Sequence, residues 1–443
     1  MNLKRVIYKI RRSIWLYPVM YTLFAIVLAS LVIVVDSRIF FDISEYIPRI
    51  LTTSTDLAKT VLSIIASAFI TIMTFTFSTT MVVLTMYTSQ YSPRVVENFL
   101  TQKSTMKSFG IFVSGFMYSI LSLLFIREIL SDFKILAGTF GVIYILVGLI
   151  SFILYINNVG TYIQASNLID RLFDKAFDDI LTYKEEIKKY DSIGKEEIDN
   201  FEAKLGIRSP RNGYIAEIYY KRLFEIAAEN KVMIIFDKLP GQFVTDQDII
   251  AKIYYDRNSD LRDNLSDEIG RSLDIGDRRT EVQDFSFSIQ KLVEVALKAL
   301  SPGINDPNTA IHCIRDLGLL LRELAELKAG YVVIRDEDNG NRASLYRESY
   351  DLDKLLSDTF NQMIHYGKED IFVVLSIIKA HRHILEKSNE KNKAIIRKHT
   401  DYLKEILERQ SFAELDRGMI QQELHEIDVL FRKGGVGIGH MES

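Results

Sequence analysis

Residues Asp56 to Arg94 read DLAKTVLSIIASAFITIMTFTFSTTMVVLTMYTSQYSPR, and this stretch decides the fold. It holds no Gly and no Pro before Pro93, and no charge between Lys59 and Arg94, so it reads as one unbroken helix. At about 1.5 Å per residue that helix is roughly 54 Å long, against a hydrocarbon core of about 30 Å. It must tilt in a bilayer or protrude from it.

The hydroxyl residues Thr60, Ser63, Ser67, Thr71, Thr74, Ser78, Thr85 and Ser89 fall on steps of three, four or seven, which is one face of a helix. Two readings follow. Hydroxyls can hydrate a passing ion or small solute, so the face can line a permeation path. Small Ser, Thr and Ala side chains also let membrane helices approach closely and share hydrogen bonds.

Working outward, three more apolar runs flank the long one. Lys4, Arg5, Lys9, Arg11 and Arg12 precede a run from Trp15 to Val35, which is too long for the apolar core of a signal peptide and reads as a retained first span. A short, mildly acidic loop from Asp36 to Thr55 follows, with Ser54 or Thr55 placed to cap the long helix. A third span is expected from about Phe109 to Ile126 and a fourth from about Ile135 to Ile156, joined by a turn carrying Arg127, Glu128, Asp132 and Lys134. Basic residues near the span ends favour the side of the amino terminus and of Arg94, Lys103 and Lys107, so both termini are expected to be cytoplasmic.

The chain has 443 residues, is 48% hydrophobic and 11% aromatic, and carries a net charge of −4. The apolar excess lies in the first 160 residues, and no basic run interleaved with aromatics occurs, so nucleic acid is not an expected partner. The single Cys313 excludes an intramolecular disulfide and a cysteine-based zinc site and reads as a small buried apolar side chain. Ionisable residues are almost absent from the spans, which argues against a proton-coupled pump. The matched Gly or Pro interruptions of broken-helix transporters are also missing.

One polar-striped helix cannot enclose a pore alone, so a path along Thr60, Ser63, Ser67, Thr71, Thr74, Ser78 and Thr85 entails a homo-oligomer in the lipid bilayer. Asp56 and Lys59 at one end, and Gln90, Arg94 and Glu97 at the other, would then form rings that bias ion choice. The ordinary alternative for these end residues is a flanking role at a helix interface.

From Gly160 the composition turns charged and amphipathic. Residues 160–204 read as a helical connector in which the fourth span continues into the next helix, and 205–280 as a small β-rich, barrel-sandwich-like subdomain with a Pro-Gly turn at 240–241. Residues 281–433 read as a helical subdomain, and 434–443 as a flexible tail. Arg278, Arg279 and Asp284 precede a helix expected from about Phe287 to Leu300. The turn Ser301 to Asn308 follows, after which Asn308 or Thr309 can cap the next helix. Asn305 and Asp306 can hold a cation, although such a segment is more often a rigid capped connector. Three amphipathic helices are expected from Tyr350 to Lys433, with His381 and His383 on different faces and so no metal pair. No phosphate loop, nucleophile elbow, zinc-binding His pair or kinase set is found, so an enzyme is the less favoured class and no cofactor or metal is implied.

Three stretches carry a family resemblance: FSTTMVVLTMYTSQYSPRVVENFL at Phe77–Leu100, FGIFVSGFMYSIL at Phe109–Leu121 and ALSPGINDPNTA at Ala299–Ala310. Together they resemble the DUF2254 family of predicted prokaryotic membrane proteins. The resemblance implies a four-span α-helical membrane domain, its second helix long and continuous, followed by a mixed α+β cytoplasmic domain, and it brings no established activity. It singles out Ser78, Ser89, Gln90, Ser92, Pro93 and Arg94 at one end of the long helix. In the second half it singles out Arg279, Asp284, Ser301, Pro302, Asn305, Asp306 and Pro307. Three functions are weighed: an oligomeric ion channel lined by the second span with a cytoplasmic gate or vestibule; a membrane-anchored scaffold or sensor with a ligand- or partner-binding domain; and, least favoured, a membrane enzyme acting through Arg279, Asp284, Asn305 and Asp306.

Overall fold

A computed structural model describes residues 15–37, 48, 51–90, 103–126, 134–162, 164–194, 205–255, 264–335 and 344–433. The basic amino-terminal cluster, most of the loop after Ser37, Ser92, Pro93, Arg94, Glu97, the charged residues Arg127, Glu128 and Asp132, and the 434–443 tail lie outside them. The chain divides into two units, residues 1–168 and 169–443.

Among the described residues the first unit holds four helices: α1 (Leu16–Ser37), α2 (Thr55–Gln90), α3 (Lys103–Phe125) and α4 (Ala137–Tyr162). Each contains a segment long and apolar enough to cross a membrane. α3 packs against the other three and is the most enclosed, burying Ser108, Ser114, Ser119 and Ser122 along with Phe112 and Tyr118. Small side chains allow the close approach: the fully buried Phe69 ring of α2 lies against Gly115 of α3 and Gly148 of α4, where any Cβ would overlap it.

Polar groups tie the ends. Asp36 near the end of α1 accepts hydrogen bonds from the Leu136 and Ala137 amides at 2.9 and 3.0 Å, filling the orphan donors at the start of α4. A two-residue β1 (Thr53–Ser54) pairs antiparallel with β2 (Lys134–Ile135) beside it. Midway, the Tyr155 hydroxyl of α4 donates to the Thr76 carbonyl of α2 at 2.9 Å and meets the Thr80 hydroxyl at 2.7 Å.

α5 (Ala165–Ile187), whose first four residues belong to the first unit, starts a new helix after α4 ends at Tyr162, in place of the continuous connector expected from spacing. The chain then enters a six-stranded sheet of order β3-β10-β11-β6-β8-β4 and a three-stranded sheet of order β7-β5-β9. These strands are β3 (Asp191–Ile193), β4 (Leu205–Arg208), β5 (Gly213–Ile218), β6 (Met233–Phe236), β7 (Phe243–Val244), β8 (Ile249–Tyr254), β9 (Leu273–Gly276), β10 (Tyr331–Arg335) and β11 (Ser344–Glu348). Helices α6 (Tyr220–Asn230) and α7 (Leu265–Gly270) pack on them around a core including Ile218, Leu223, Phe236, Ile253 and Leu345.

The β-rich stretch 205–280 therefore does not close on itself. β11 pairs parallel with β6, Leu345 opposite Ile234, and β10 carries β3 on its other edge. Two strands thus interrupt the stretch 281–433 that reads as helical. They are five residues each, too short to show a period, and their pairing joins positions about a hundred apart in sequence.

The rest is α8 (Phe285–Ala299), α9 (Pro307–Ala325), α10 (Leu352–Gly367), α11 (Ile371–Glu386), α12 (Glu390–Glu408) and α13 (Glu414–Lys433). Among the described residues four helices, not three, follow Tyr350. Each of α8 to α12 begins on an Asp or Asn that accepts a backbone amide: Asp284, Asp306, Asp351, Asp370 and Asn389. Asp306, not Asn308 or Thr309, caps α9, because Pro307 supplies a first helical residue that has no N–H to satisfy. Cys313 lies fully buried in α9, and burial pushes its thiol well above the ordinary range.

Candidate functional site

α2 has two opposed faces. Ala58, Leu62, Ile65, Phe69, Thr76, Thr80 and Val83 are buried against α3 and α4. Thr60, Ser63, Ser67, Thr71, Thr74, Ser78, Thr85 and Ser89 are all exposed. At about 100° per residue these eight hydroxyls fall within an arc of roughly 80°, centred opposite the buried face. Packing inside one copy of the chain therefore does not explain them.

Most of these hydroxyls are held by their own helix. Ser67 donates to the Ser63 carbonyl at 3.0 Å, Thr71 to Ser67 at 3.0 Å, Thr74 to Ile70 at 2.9 Å, and Thr60 and Thr85 bond back the same way. The donor is satisfied locally, which leaves the oxygen lone pairs facing out, able to accept from water or to meet a cation. Exposed Ile64, Ile70, Phe75, Phe77 and Val82 flank the stripe on both sides. At its start Asp56 is exposed and Lys59 half-buried, while the Gln90 side chain, Arg94 and Glu97 lie outside what is described.

In the second unit the residues singled out by sequence fall at opposite ends of α8. At its start Asp284 accepts the Phe287 amide at 3.1 Å and is gripped by Arg279 through Nε and Nη2, at 2.5 and 3.1 Å. The same guanidinium also donates to Gln290 and Ser286. Gly241, at φ +85°, brings the 238–243 loop onto this cluster, and a Cβ there would overlap the Asp284 carboxylate. At the far end, Ser301 donates to the Lys298 carbonyl at 2.6 Å, Asn305 is exposed at φ +50°, and Asp306 holds the Thr309 amide and hydroxyl. Arg279 and Asp284 are brought together, but not with Ser301, Asn305 or Asp306, since the 15-residue α8 separates them. A joint catalytic set is not formed.

Beside the Arg279 cluster opens a cleft of about 650 Å³, walled by α5, the 238–243 loop, the start of α8 and the β11–α10 turn. On its wall, Arg347 of β11 is 4% exposed. Its guanidinium lies 4.1 Å over the Tyr220 ring, and Nη2 donates to Glu186 at 2.7 Å. Its Nε is buried and has no hydrogen-bond partner among the described residues. The Tyr183 hydroxyl, whose ring meets Phe285 at 4.6 Å between centroids, is likewise buried and unpartnered. Leaving such a donor unmade costs about 1–3 kcal/mol.

Burial pushes the Tyr220 hydroxyl up to about 12, against the pull of Arg347, and pushes that of Tyr183 well above its ordinary value. Both remain neutral donors at physiological pH. Arg347 stays charged: burial pulls its guanidinium down, and the Glu186 carboxylate that accepts from it more than offsets that pull. Sequence reasoning missed Tyr183, Tyr220 and Arg347; within SLYRE at Ser344–Glu348 an arginine gives no sign that it points inward.

Comparison with known proteins adds a family. The profile described as "Predicted membrane protein (DUF2254)" matches residues 11–383. Uncharacterized proteins of Mycobacterium bovis and Mycobacterium tuberculosis are each 24% identical over 280 residues, covering 60% of this chain and 52% of the relative. The match thus spans about half the length of these relatives. No solved structure matches the chain.

Proposed function

Because the chain belongs to the DUF2254 family of predicted membrane proteins, we propose that it is a self-associating channel of the prokaryotic cytoplasmic membrane. In this reading α1 to α4 span the bilayer with both termini cytoplasmic, and copies meet around an axis lined by the hydroxyl face of α2. Water and ions or small solutes pass along that face, while the second unit acts as gate or vestibule. Lipid and a second copy of the chain are the partners, and neither catalysis nor nucleic acid has a part.

The observation that carries the reading is the exposure of the whole hydroxyl face opposite the buried face of α2. In hydrocarbon, outward lone pairs meet nothing that donates to them. Water or another subunit supplies what lipid does not, and several copies make the path continuous. The test is flux of potassium, sodium and chloride from liposomes, with the oligomer's mass in mild detergent. Flux in the unchanged protein that falls at least tenfold when Ser67, Thr71 and Thr74 are replaced together by Leu supports the path. A strict monomer, or flux untouched by the triple change, removes it.

A second reading, a membrane-anchored sensor whose soluble unit binds a ligand, is favoured by the cleft beside Arg347 and Tyr183.

A further inference from the structure

The cleft of the second unit holds information about what would fill it. Its volume of about 650 Å³ suits a small organic molecule. Two donors at its wall, Arg347 Nε and the Tyr183 hydroxyl, are buried with no acceptor among the described residues. Both call for an oxygen acceptor brought from outside, and the charge on Arg347 favours an anionic one. Glu186, which shares the guanidinium through Nη2, is half exposed and can turn to solvent without opening the core.

The remaining walls limit the rest of the ligand. The lining carries seven carboxylates against four cations, and Glu281 and Asp179 pair with Lys291 and Lys175 outside it, so a small negative excess opposes a multiply charged anion such as a nucleotide and accepts a positive group away from Arg347. The rings of Tyr183, Phe285, Tyr220 and Phe243 also line the cleft and can take apolar substituents. One carboxylate, one ammonium and an apolar middle describe a zwitterion.

We propose that this cleft binds a short peptide with both termini free, its carboxylate on Arg347 Nε and the Tyr183 hydroxyl and its ammonium among the acidic residues of the lining. The inference holds whether or not α2 conducts, because it uses only residues of the second unit.

The test uses the full-length protein in mild detergent and a degenerate mixture of tripeptides with free termini, read by the rise in unfolding temperature and by equilibrium dialysis. The free mixture should stabilise the protein, and amidating the carboxyl end or acetylating the amino end should each weaken binding about tenfold or more. Tyr183→Phe keeps the ring against Phe285 and removes only the hydroxyl. It should melt no lower than the parent yet bind the mixture about tenfold more weakly, with Arg347→Lys weaker still. ATP and spermidine serve as a polyanion and a polycation. Tighter binding of either than of the peptides, equal binding of the blocked peptides, unchanged binding by Tyr183→Phe, or no stabilisation by the free mixture would each overturn the proposal.

Discussion

The α2 face and the cleft of the second unit handle polar groups in opposite ways. Along α2 each bonded hydroxyl finds its acceptor one turn back in the same helix, so its satisfaction does not depend on what surrounds the helix. In the cleft, Arg347 takes Glu186 from 161 positions away, and its Nε finds no acceptor among the described residues. The contrast teaches where external partners are needed. A hydroxyl bonded to its own turn leaves only lone pairs for an outside partner to meet, whereas a buried donor without an acceptor records what is missing.

The comparison can be broken most directly through packing. If the first unit rests on close helix contacts rather than on its hydroxyls, Phe69→Ala, which empties the space between Gly115 and Gly148, should cost about 3–5 kcal/mol in a denaturation series in mild detergent. A loss below about 1 kcal/mol would show that α2 is not seated on α3 and α4.

In the second unit, Asp284→Ala removes the α8 cap and leaves Arg279 without its carboxylate. A loss of about 2–3 kcal/mol by calorimetry is expected. Asp284→Asn, which can still accept the Phe287 amide, should recover part of it.

Acid sharpens the contrast by a smaller step. Burial, with the nearby His399 adding to it, holds His381 down to about 3, from an ordinary value of 6.5. The unfolded chain therefore binds this proton first, so its contribution is complete above pH 6.5 and lost as pH falls towards 3. The slope is about 1.4 kcal/mol per pH unit. Melting followed from pH 7 to pH 4 should show that slope in the parent and a shallower one in His381→Gln.

The smallest effect is expected on the stripe. Ser67→Ala removes an exposed hydroxyl bonded only to its own turn, and should change stability by no more than about 0.5 kcal/mol. A larger loss, measured on the oligomer and absent in the dissociated chain, would assign the hydroxyl to contact between copies.

Part of this was legible in the sequence. The four apolar helices follow from composition and length, and the hydroxyl face of α2 from spacing alone, because a helix maps sequence intervals onto one side. The caps Asp284 and Asp306 lie within three residues of the amides they accept, yet the local reading points to Asn308 or Thr309 for α9 and gives Asp284 no capping role. The joining of β10, β11 and β3 into the sheet that holds β6 and β8 was not legible, since the alternation of a five-residue strand carries too little signal to name a partner a hundred residues away. Nor was the cleft, whose Tyr183, Tyr220 and Arg347 come from two helices and a strand.

By itself the sequence determined how many helices are long and apolar enough to cross a bilayer, and that the longest bears a continuous band of hydroxyls. Only the tertiary structure decided that this band faces away from the rest of its own unit, and that Arg347 is buried with a donor unanswered among the described residues. The first kind of fact depends on neighbours along the chain, which covalent geometry fixes. The second depends on which distant surfaces are occupied by packing, and no local interval encodes that.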